Sequence, residues 1–263
     1  LKTHPKEKLE TLRQAIALDP QKNNLLAATF PRFNKQPKPD EYFKVAQDFQ
    51  KNRQFSEARK YYQRIFSSNK KKFDMDEKIQ AYKAYRNSFK IEGQKEPYLN
   101  AAKKYDLFIQ QNGNNKQKIE SLLTLGRTYW TQGKNTLAEN TFKKILQKFK
   151  NQEDLSETYW VLGRFYEDQA QEVTKSNPKT KTKINSDLKG TNQKALEYYE
   201  LAHTEWQQRN EILKEPSKEK DILNKINFSK SWYYYKRKNY PMAEKSLLLA
   251  IAESTDMSEN YKY

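Results

Sequence analysis

The sequence predicts an all-α protein, a right-handed α-solenoid of paired antiparallel helices. Three observations lead to this prediction. Apolar residues recur at helical spacing, in blocks that come in pairs. Only 6 glycines and 9 prolines interrupt the 263 residues, which indicates few turns. Hydrophobic residues make up 35% of the chain, and this low content suits a thin array of helices better than one thick core.

The clearest pair of helices lies within residues 121–146. Its first helix presents a large residue, a leucine, a glycine and a tyrosine at helical spacing: Leu122, Leu125, Gly126 and Tyr129. After a turn at residues 132–134, the second helix presents small and large apolar residues: Ala138, Phe142 and Ile145. We expect Gly126 to let the helices approach closely, with Ala138 at their crossing. Because one such hairpin cannot bury its apolar face alone, it needs neighbours.

Four further stretches repeat this pattern: residues 40–66, 74–111, 157–202 and 222–251. The residues aligned with Ala138 are also alanines: Ala58, Ala101, Ala195 and Ala243. The five alanines are therefore separated by 43, 37, 57 and 48 residues along the sequence. These intervals exceed the 34 residues of a standard helical-hairpin repeat. We predict an array with long helices or long loops.

The composition along the chain predicts three regions. Residues 1–33 form an N-terminal helical segment, residues 34–39 a proline-rich linker, and residues 40–263 the superhelical domain. Within that domain, residues 173–194 are polar and lysine-rich, which predicts a basic flexible insertion at a hairpin turn. The basic residues expected to act there are Lys175, Lys179, Lys181, Lys183 and Lys189.

Two stretches resemble a known repeat family. The segments Leu125-Gly126-Arg127-Thr128-Tyr129 and Leu162-Gly163-Arg164-Phe165-Tyr166 resemble the tetratricopeptide (TPR) family, and the likeness extends over residues 40–251. This resemblance implies a solenoid of TPR-like antiparallel helix hairpins. It is nearly silent on function, because one fold hosts many functions.

The tail at residues 231–263 is similar to the last helices of the superhelical region of soluble lytic transglycosylases. That resemblance implies a region that positions peptidoglycan strands for a catalytic domain outside this chain. Glu253-Ser254 looks like the catalytic Glu-Ser pair of that family. However, only nine residues follow Ser254 and the Gly-Leu-Met-Gln segment is absent, so we do not interpret Glu253 as a catalytic acid.

The residue inventory argues against catalysis by this chain. Cysteine is absent, which excludes disulfides and thiolate chemistry. The two histidines, His4 and His203, lie in different elements without companion ligands, and the glycines form no phosphate-binding loop. We predict no metal and no cofactor. If the chain is part of an enzyme, that enzyme is a peptidoglycan lytic transglycosylase.

The charge of the chain bears on its partners. The 50 basic and 33 acidic residues give a net charge of +17, which favours anionic surfaces. No apolar run reaches the roughly 18 residues that a transmembrane helix needs. The chain begins at Leu1 without a methionine, so we expect a trimmed or processed piece. A periplasmic or otherwise exported location is favoured over the cytoplasm.

The first helix of each hairpin is expected to line a concave groove. The residues predicted to point into it are Phe43, Arg86, Lys90, Leu123, Arg127, Trp130, Trp160, Arg164, Phe228 and Trp232. Aromatic and arginine side chains are common anchors of protein interfaces and also suit glycans. The alternative for each tryptophan is packing between neighbouring repeats. The leading interpretation is a non-catalytic scaffold for a protein or peptide; the transglycosylase region comes second, and nucleic-acid association is less favoured.

The C-terminal end of the array is a separate expectation. A complete array usually ends in a polar cap, which Tyr261 and Tyr263 do not resemble. We therefore predict a partly apolar C-terminal face that more chain or a partner covers.

Binding to cell-wall polymer separates the two leading interpretations. If the chain is a protein scaffold, purified peptidoglycan retains it only at low salt, because salt screens a purely electrostatic attraction. Co-sedimentation at low and at physiological salt measures this. Retention at physiological salt that is lost when Arg127 and Arg164 are both changed to alanine would favour the cell-wall interpretation.

Overall fold

The computed structural model describes residues 38, 41–68, 72–150, 152–176, 181–213 and 220–253. Within these residues the regular structure is helical and no strand occurs, which confirms the all-α prediction. The predicted N-terminal helical segment at residues 1–33, and the predicted linker except for Lys38, lie outside the described residues. Among the described helices, none combines the length and the apolar character that a membrane span requires.

The chain divides into two compact units, residues 1–94 and 95–263. The described helices of the first unit are α1 (Tyr42–Lys51), α2 (Phe55–Phe66) and α3 (Met75–Ile91). Those of the second unit are α4 (Lys95–Asn112), α5 (Asn115–Thr131), α6 (Asn135–Phe149), α7 (Ser156–Ser176), α8 (Lys181–Leu213), α9 (Lys220–Lys236) and α10 (Tyr240–Glu253).

In the first unit, α1 and α2 form a hairpin, and α3 packs against α2. Phe43 of α1 meets Tyr62 of α2 edge-on, with ring centroids 5.7 Å apart. Arg59 of α2 reaches α3, where its guanidinium lies 4.3 Å from the ring centroid of Phe89 and forms an ion pair with Glu92. The surface of the α1/α2 hairpin is therefore covered by the helix that follows it.

Short turns with one residue in the left-handed region join consecutive helices. Arg53, Gly93, Gly133 and Lys238 each have a φ between 58° and 72°. In each turn the N–H of the residue after the left-handed one donates a hydrogen bond to the carbonyl five residues back, as Lys134 N does to Tyr129 O at 2.9 Å. The first three of these residues, 53, 93 and 133, follow one another at a constant interval of 40 residues.

The N-termini of α3 and α5, at Met75 and Asn115, keep the same interval. The side chains of Asp74 and Asn114 each accept a hydrogen bond from the backbone N–H three residues on. Their own backbone N–H groups donate to the side chains of Glu77 and Gln117 in return, which completes two capping boxes. Asp154, another 40 residues along, accepts from Ser156 N at 2.8 Å. The predicted intervals of 43 and 37 residues are corrected to this regular one.

The correction concerns the register of one copy. Counted from the left-handed residue of each turn, the position of Ala138 corresponds to Tyr98 and not to Ala101. The alignment failed there because both Ala101 and Ala102 are small and buried, so residue size alone could not identify the equivalent position.

A glycine in α5 sets the packing of the first full hairpin in the second unit. Gly126 faces the ring of buried Phe142, and a Cβ added to Gly126 would lie 2.4 Å from its Cε1 atom. Ala138 and Ile145 are fully buried on the same side of α6. The predicted role of Gly126 is confirmed, with the Phe142 ring as the group that occupies the space.

The next hairpin repeats this packing across the insertion. A Cβ on Gly163 of α7 would lie 2.5 Å from the Tyr199 ring and 3.2 Å from the backbone oxygen of Ala195. Ala195 and Tyr199 are completely buried in α8. The structure therefore confirms the alignment of Ala195 with Ala138, despite the 20 additional residues that the sequence predicts between the two helices.

The basic segment differs from its prediction. α7 continues to Ser176 and α8 begins at Lys181, so residues 173–176 and 181–194 are helical. The flexible loop predicted there is wrong for these residues. Residues 181–213 contain no proline and one glycine, and helix growth from the packed turn around Ala195 adds one hydrogen bond per residue. Lys175, Lys181 and Lys183 lie on helices, Lys189 is exposed, and Lys179 lies outside the described residues.

Two glycine substitutions test this packing. Changing Gly126 to alanine should lower the free energy of unfolding by about 1–3 kcal/mol, because the new methyl group forces the buried Phe142 ring to move. The matched control is Gly190→Ala in α8, where nothing lies within 4 Å of the added Cβ. That change should stabilise by about 0.5–1 kcal/mol through helix propensity. Urea unfolding measures both; equal effects at the two sites would contradict the packing role.

Candidate functional site

Several residues predicted to line a groove pack inside the array. Leu123 is only 3% exposed and belongs to the core of the second unit, which corrects its assignment to a binding surface. Trp130 of α5 meets Phe165 of α7 edge-on, with ring centroids 5.7 Å apart. The indole N–H of Trp160 donates to Ser229 Oγ of α9 at 3.0 Å. For these two tryptophans the structure therefore favours the alternative, packing between repeats.

The predicted cations have structural neighbours too. Arg127 Nη2 lies 2.8 Å from Glu157 Oε1, an ion pair between α5 and α7. Arg164 is half-buried, and its charge partly offsets the burial that raises the pKa of Asp168. Arg86 is half-buried on α3 of the first unit, where Lys90 is exposed. The four cations are therefore distributed over three helices, and Arg127 and Arg164 interact with carboxylates of the array itself.

The last hairpin has a different surface. Large hydrophobic side chains with more than a third of their surface exposed are concentrated on α9 and α10: Phe228, Trp232, Tyr235, Tyr240, Met242, Leu247, Leu248, Leu249 and Ile251. In the rest of the described chain such side chains are scattered: Ile91, Leu107, Leu137 and Leu201. Exposed apolar side chains concentrated on one hairpin mark an interaction site more often than scattered ones do. The predicted apolar character of the C-terminal face is thus confirmed.

A groove of about 510 Å³ runs between α9 and α10. We call it the terminal groove and define it by its exposed lining residues: Phe228, Trp232 and Tyr235 from α9, and Tyr240, Glu244 and Leu247 from α10. Buried Ser231 and Ala243 close its floor. Phe228 and Trp232 are the members of the predicted groove set that line it, at 44% and 46% exposed.

The aromatic wall of the terminal groove is ordered by ring contacts. Trp232 and Tyr235 are stacked with centroids 5.7 Å apart and an interplanar angle of 13°. Tyr240 meets Tyr235 edge-on at 5.9 Å. The Lys236 ammonium lies 5.0 Å from the centroid of the Trp232 ring. The result is an aromatic wall with one cation over the Trp232 ring, suited to apolar side chains and to aromatic contacts.

The helix carrying this wall is held firmly on its other side. Lys236 Nζ donates to Glu167 Oε1 at 3.0 Å, and Glu167, only 3% exposed, also accepts from the Tyr199 hydroxyl at 2.7 Å. Buried Tyr233 donates to the Asn192 carbonyl at 3.1 Å. These bonds tie α9 to both α7 and α8. A ligand therefore meets a preformed surface, which lowers the entropic cost of binding.

The described side chains show no metal-binding group: within the ranges given above, no three histidine, cysteine, aspartate or glutamate residues come together in one place. His203 is half-buried, and burial, followed by the nearby Lys230 charge, lowers its pKa. Neither the search for grouped metal ligands nor the surroundings of His203 identifies a nucleophile with an adjacent base.

No protein-family model matches the chain, and no curated protein matches it. Among solved structures, it is similar to BtubC (BKLC) from P. vanneervenii, with a TM-score of 0.53 at 15% identity over 98% of this chain and 91% of that chain. The chain is a helical-repeat protein with the TPR-like fold.

Other solved structures resemble this TPR-like chain at lower scores. One is a Podosopora anserina protein described as a kinesin light chain with nearly identical TPR-like repeats, with a TM-score of 0.48 and 13% identity over 86% of this chain and 100% of that chain. Another is a TPR repeats protein from Bacteroides fragilis, with a TM-score of 0.38 and 17% identity over 84% of this chain and 93% of that chain.

The sequence held a signal for the terminal groove that the groove prediction did not use. The segment Ser246-Leu247-Leu248-Leu249-Ala250-Ile251-Ala252 is apolar on every side of its helix. A helix that is hydrophobic all round is normally buried on all sides. In this TPR-like chain, α10 buries Ala243, Ser246 and Ala250 and exposes the other residues of 240–252.

Alkaline pH tests the buried bond between Tyr199 of α8 and Glu167 of α7, the carboxylate that also accepts from Lys236 of α9. Burial, followed by the negative charge of Glu167, raises the pKa of Tyr199. Above about pH 10 the unfolded chain ionises this tyrosine while the folded chain keeps it protonated, so stability is lost as the pH rises. The Tyr199→Phe variant should lose less unfolding free energy than wild type between pH 8 and pH 11, by about 1 kcal/mol. Equal losses by urea unfolding would contradict a buried, neutral Tyr199.

Proposed function

We propose that this TPR-like chain is a non-catalytic protein-binding scaffold that captures a partner protein or peptide in the terminal groove. The observation that carries the proposal is the exposed aromatic wall formed by Trp232, Tyr235 and Tyr240 beside Leu247. Tryptophan and tyrosine are the residue types that most often dominate binding energy at protein interfaces. Because the wall is fixed by ring contacts and by a firmly held helix, side chains lose little freedom on binding.

The proposal moves the expected binding surface along the chain. The sequence predicted a concave groove lined by the first helix of every hairpin, but Trp130 and Trp160 contact the following helices. At the last hairpin, Trp232 keeps 46% of its surface exposed. The binding function of the predicted groove is therefore assigned to its last section.

The chemistry of the terminal groove suits an apolar segment with one polar anchor. Its wall is aromatic, Ala243 and Leu247 add aliphatic surface, and Glu244 offers a carboxylate to a hydrogen-bond donor. Ligand sites commonly combine an apolar lining with a few placed polar groups in this way. The net charge of +17 would speed the approach of an acidic partner without fixing where it binds.

The stacked pair Trp232 and Tyr235 supports a second candidate. Sugar rings stack on flat aromatic surfaces of this kind, so the pair also suits the peptidoglycan strands that the transglycosylase resemblance implies. In that candidate the chain is a superhelical region whose catalytic domain lies elsewhere.

Peptide selection against the whole chain tests the leading proposal. We expect peptides of about 20 residues, long enough for several helical turns, to be selected and to bind Trp232→Ala at least about tenfold more weakly than wild type, as truncation of an aromatic anchor does. The matched control is Leu107→Ala, which removes a 61% exposed leucine elsewhere in the second unit. It should leave affinity unchanged in fluorescence anisotropy titrations.

Three outcomes would count against the leading proposal. No selected peptide, or peptides equally affected by Leu107→Ala, would remove the terminal groove as the binding surface. Co-sedimentation with purified peptidoglycan at physiological salt that Trp232→Ala abolishes would replace the protein partner with the glycan candidate. Circular dichroism of each variant checks that the helices remain folded.

A further inference from the structure

We infer that the terminal groove binds an amphipathic α-helix of a partner protein, seated as if it were the first helix of a further hairpin. The inference rests on the proposed function and specifies the partner's structure and contacts. Its basis is that three other hairpins of the described chain, α1/α2, α5/α6 and α7/α8, each have their groove filled by a later helix of the chain itself. Those filled grooves show which side chains a docked helix presents.

The α5/α6 groove is equivalent to the terminal groove residue by residue. Both hairpins turn at a residue with positive φ, Gly133 in one and Lys238 in the other. Counted from these residues, the equivalent positions are Arg127 and Trp232, Trp130 and Tyr235, Glu139 and Glu244, and Phe142 and Leu247. The two grooves therefore share one aromatic wall residue (Trp130 or Tyr235), a carboxylate (Glu139 or Glu244) and a large apolar residue (Phe142 or Leu247).

In the α5/α6 groove the occupant is α7. Phe165, 2% exposed, inserts between Trp130 and Phe142, with ring centroids 5.7 Å and 6.1 Å away. The hydroxyl of the next residue, Tyr166, donates to Glu139 Oε1 at 2.7 Å. The docked helix thus places one aromatic ring in the groove, and its next residue donates a hydrogen bond to the carboxylate of the groove.

The first unit shows the same arrangement with different side chains. Arg59 occupies the position of Glu139, and Phe89 occupies that of Tyr166. The hydrogen bond is replaced by a cation–π contact, in which the guanidinium lies 4.3 Å from the ring centroid. The same pair of positions makes contact although both residue types differ, so the docking geometry belongs to the hairpin.

A further groove, between α7 and α8, holds α9. Ser229 of α9 accepts a hydrogen bond from the indole N–H of Trp160. Lys230 and Lys236 of α9 form ion pairs with Glu200, at 2.7 Å, and with Glu167. The occupant's cations here meet the groove's carboxylates. Polar side chains of the groove thus select complementary groups on the helix that fills it.

These contacts define the chemistry expected of the partner helix that docks in the terminal groove. Its aromatic or large apolar residue would pack against Tyr235 and Leu247, and the next residue would donate a hydrogen bond to Glu244. In the α5/α6 groove, Arg127 pairs with Glu157 of α7, eight residues before Phe165. Trp232 replaces that arginine, so the corresponding residue of the partner should be apolar and not acidic. A tyrosine at the donor position of the partner helix would complement Glu244, because its hydroxyl can donate a hydrogen bond to the carboxylate.

The probe is a synthetic helix based on α7. It has the sequence of residues 156–176 with Glu157→Leu, because Trp232 replaces Arg127 in the terminal groove. A second peptide adds Tyr166→Phe and removes the donor. Both are titrated with the full 263-residue chain and with its Glu244→Ala variant, using fluorescence anisotropy for affinity and circular dichroism for helix formed on binding.

We expect the first peptide to gain helix on binding and to bind Trp232→Ala at least about tenfold more weakly. Tyr166→Phe in the peptide should weaken binding to wild type about fivefold and leave binding to Glu244→Ala unchanged, because the lost bond is the one to Glu244. This coupling isolates one contact from general apolar binding. The unmodified 156–176 peptide should bind more weakly than its Glu157→Leu form.

The failures of the two proposals are distinguishable. If selected peptides need Trp232 but gain no helix on binding, and Glu244 shows no coupling to the donor, the protein-binding scaffold stands and the helix inference is overturned. If no peptide depends on Trp232, both are overturned. Concentration-dependent dimerisation that Trp232→Ala abolishes would identify a second copy of the chain as the occupant. Peptide binding that appears only after residues 254–263 are removed would identify the chain's own tail as the occupant. Either result would overturn the inference.

Discussion

The structure depends on one constraint: a helix hairpin leaves an apolar groove that only another helix fills. Close approach of the two helices creates that groove. At Gly126 and Gly163 the absence of a Cβ lets an aromatic ring of the second helix lie directly on the first. The following helix then inserts its own aromatic residue, as Phe165 does, and the core of the second unit continues from α5 to α9 without interruption. Each hairpin is therefore stabilised largely by its neighbours, as in other repeat proteins.

Packing within a hairpin could be predicted from the sequence because it depends on residues close together in the pattern. The match of Gly126 with Phe142 and of Gly163 with Tyr199 follows from size and spacing alone. The 40-residue interval could not be predicted in this way. It is marked by the turns at residues 53, 93 and 133, and at the first of these Arg53 adopts positive φ as the two glycines do, although arginine does not signal that conformation. The helical state of residues 181–194 was missed because a polar composition does not prevent a helix that grows from a packed segment.

The candidate site shows a different limit. Helical geometry places Trp130, Trp160 and Trp232 on comparable faces of their helices, but it does not say what packs on those faces. Phe165 covers the first and Ser229 bonds the second. Trp232 remains 46% exposed, because no described helix follows α10. Exposure at these positions is decided by the next element along the chain, which is why one residue type serves both as core and as candidate anchor.

The substitutions between the two equivalent grooves indicate what kind of recognition the terminal groove supports. The pair of Arg127 and Glu157 is substantially exposed, and such ion pairs contribute about 0–1 kcal/mol and weaken with salt. Trp232 in place of the arginine exchanges that contact for burial of a large ring, which salt affects little and which commonly dominates an interface. Leu247 lies in the terminal groove at the position of Phe142, so an aromatic ring is absent there and room is left for a larger side chain from a partner. The net charge of +17 then acts on the rate of encounter, while the aromatic wall determines how long a partner stays.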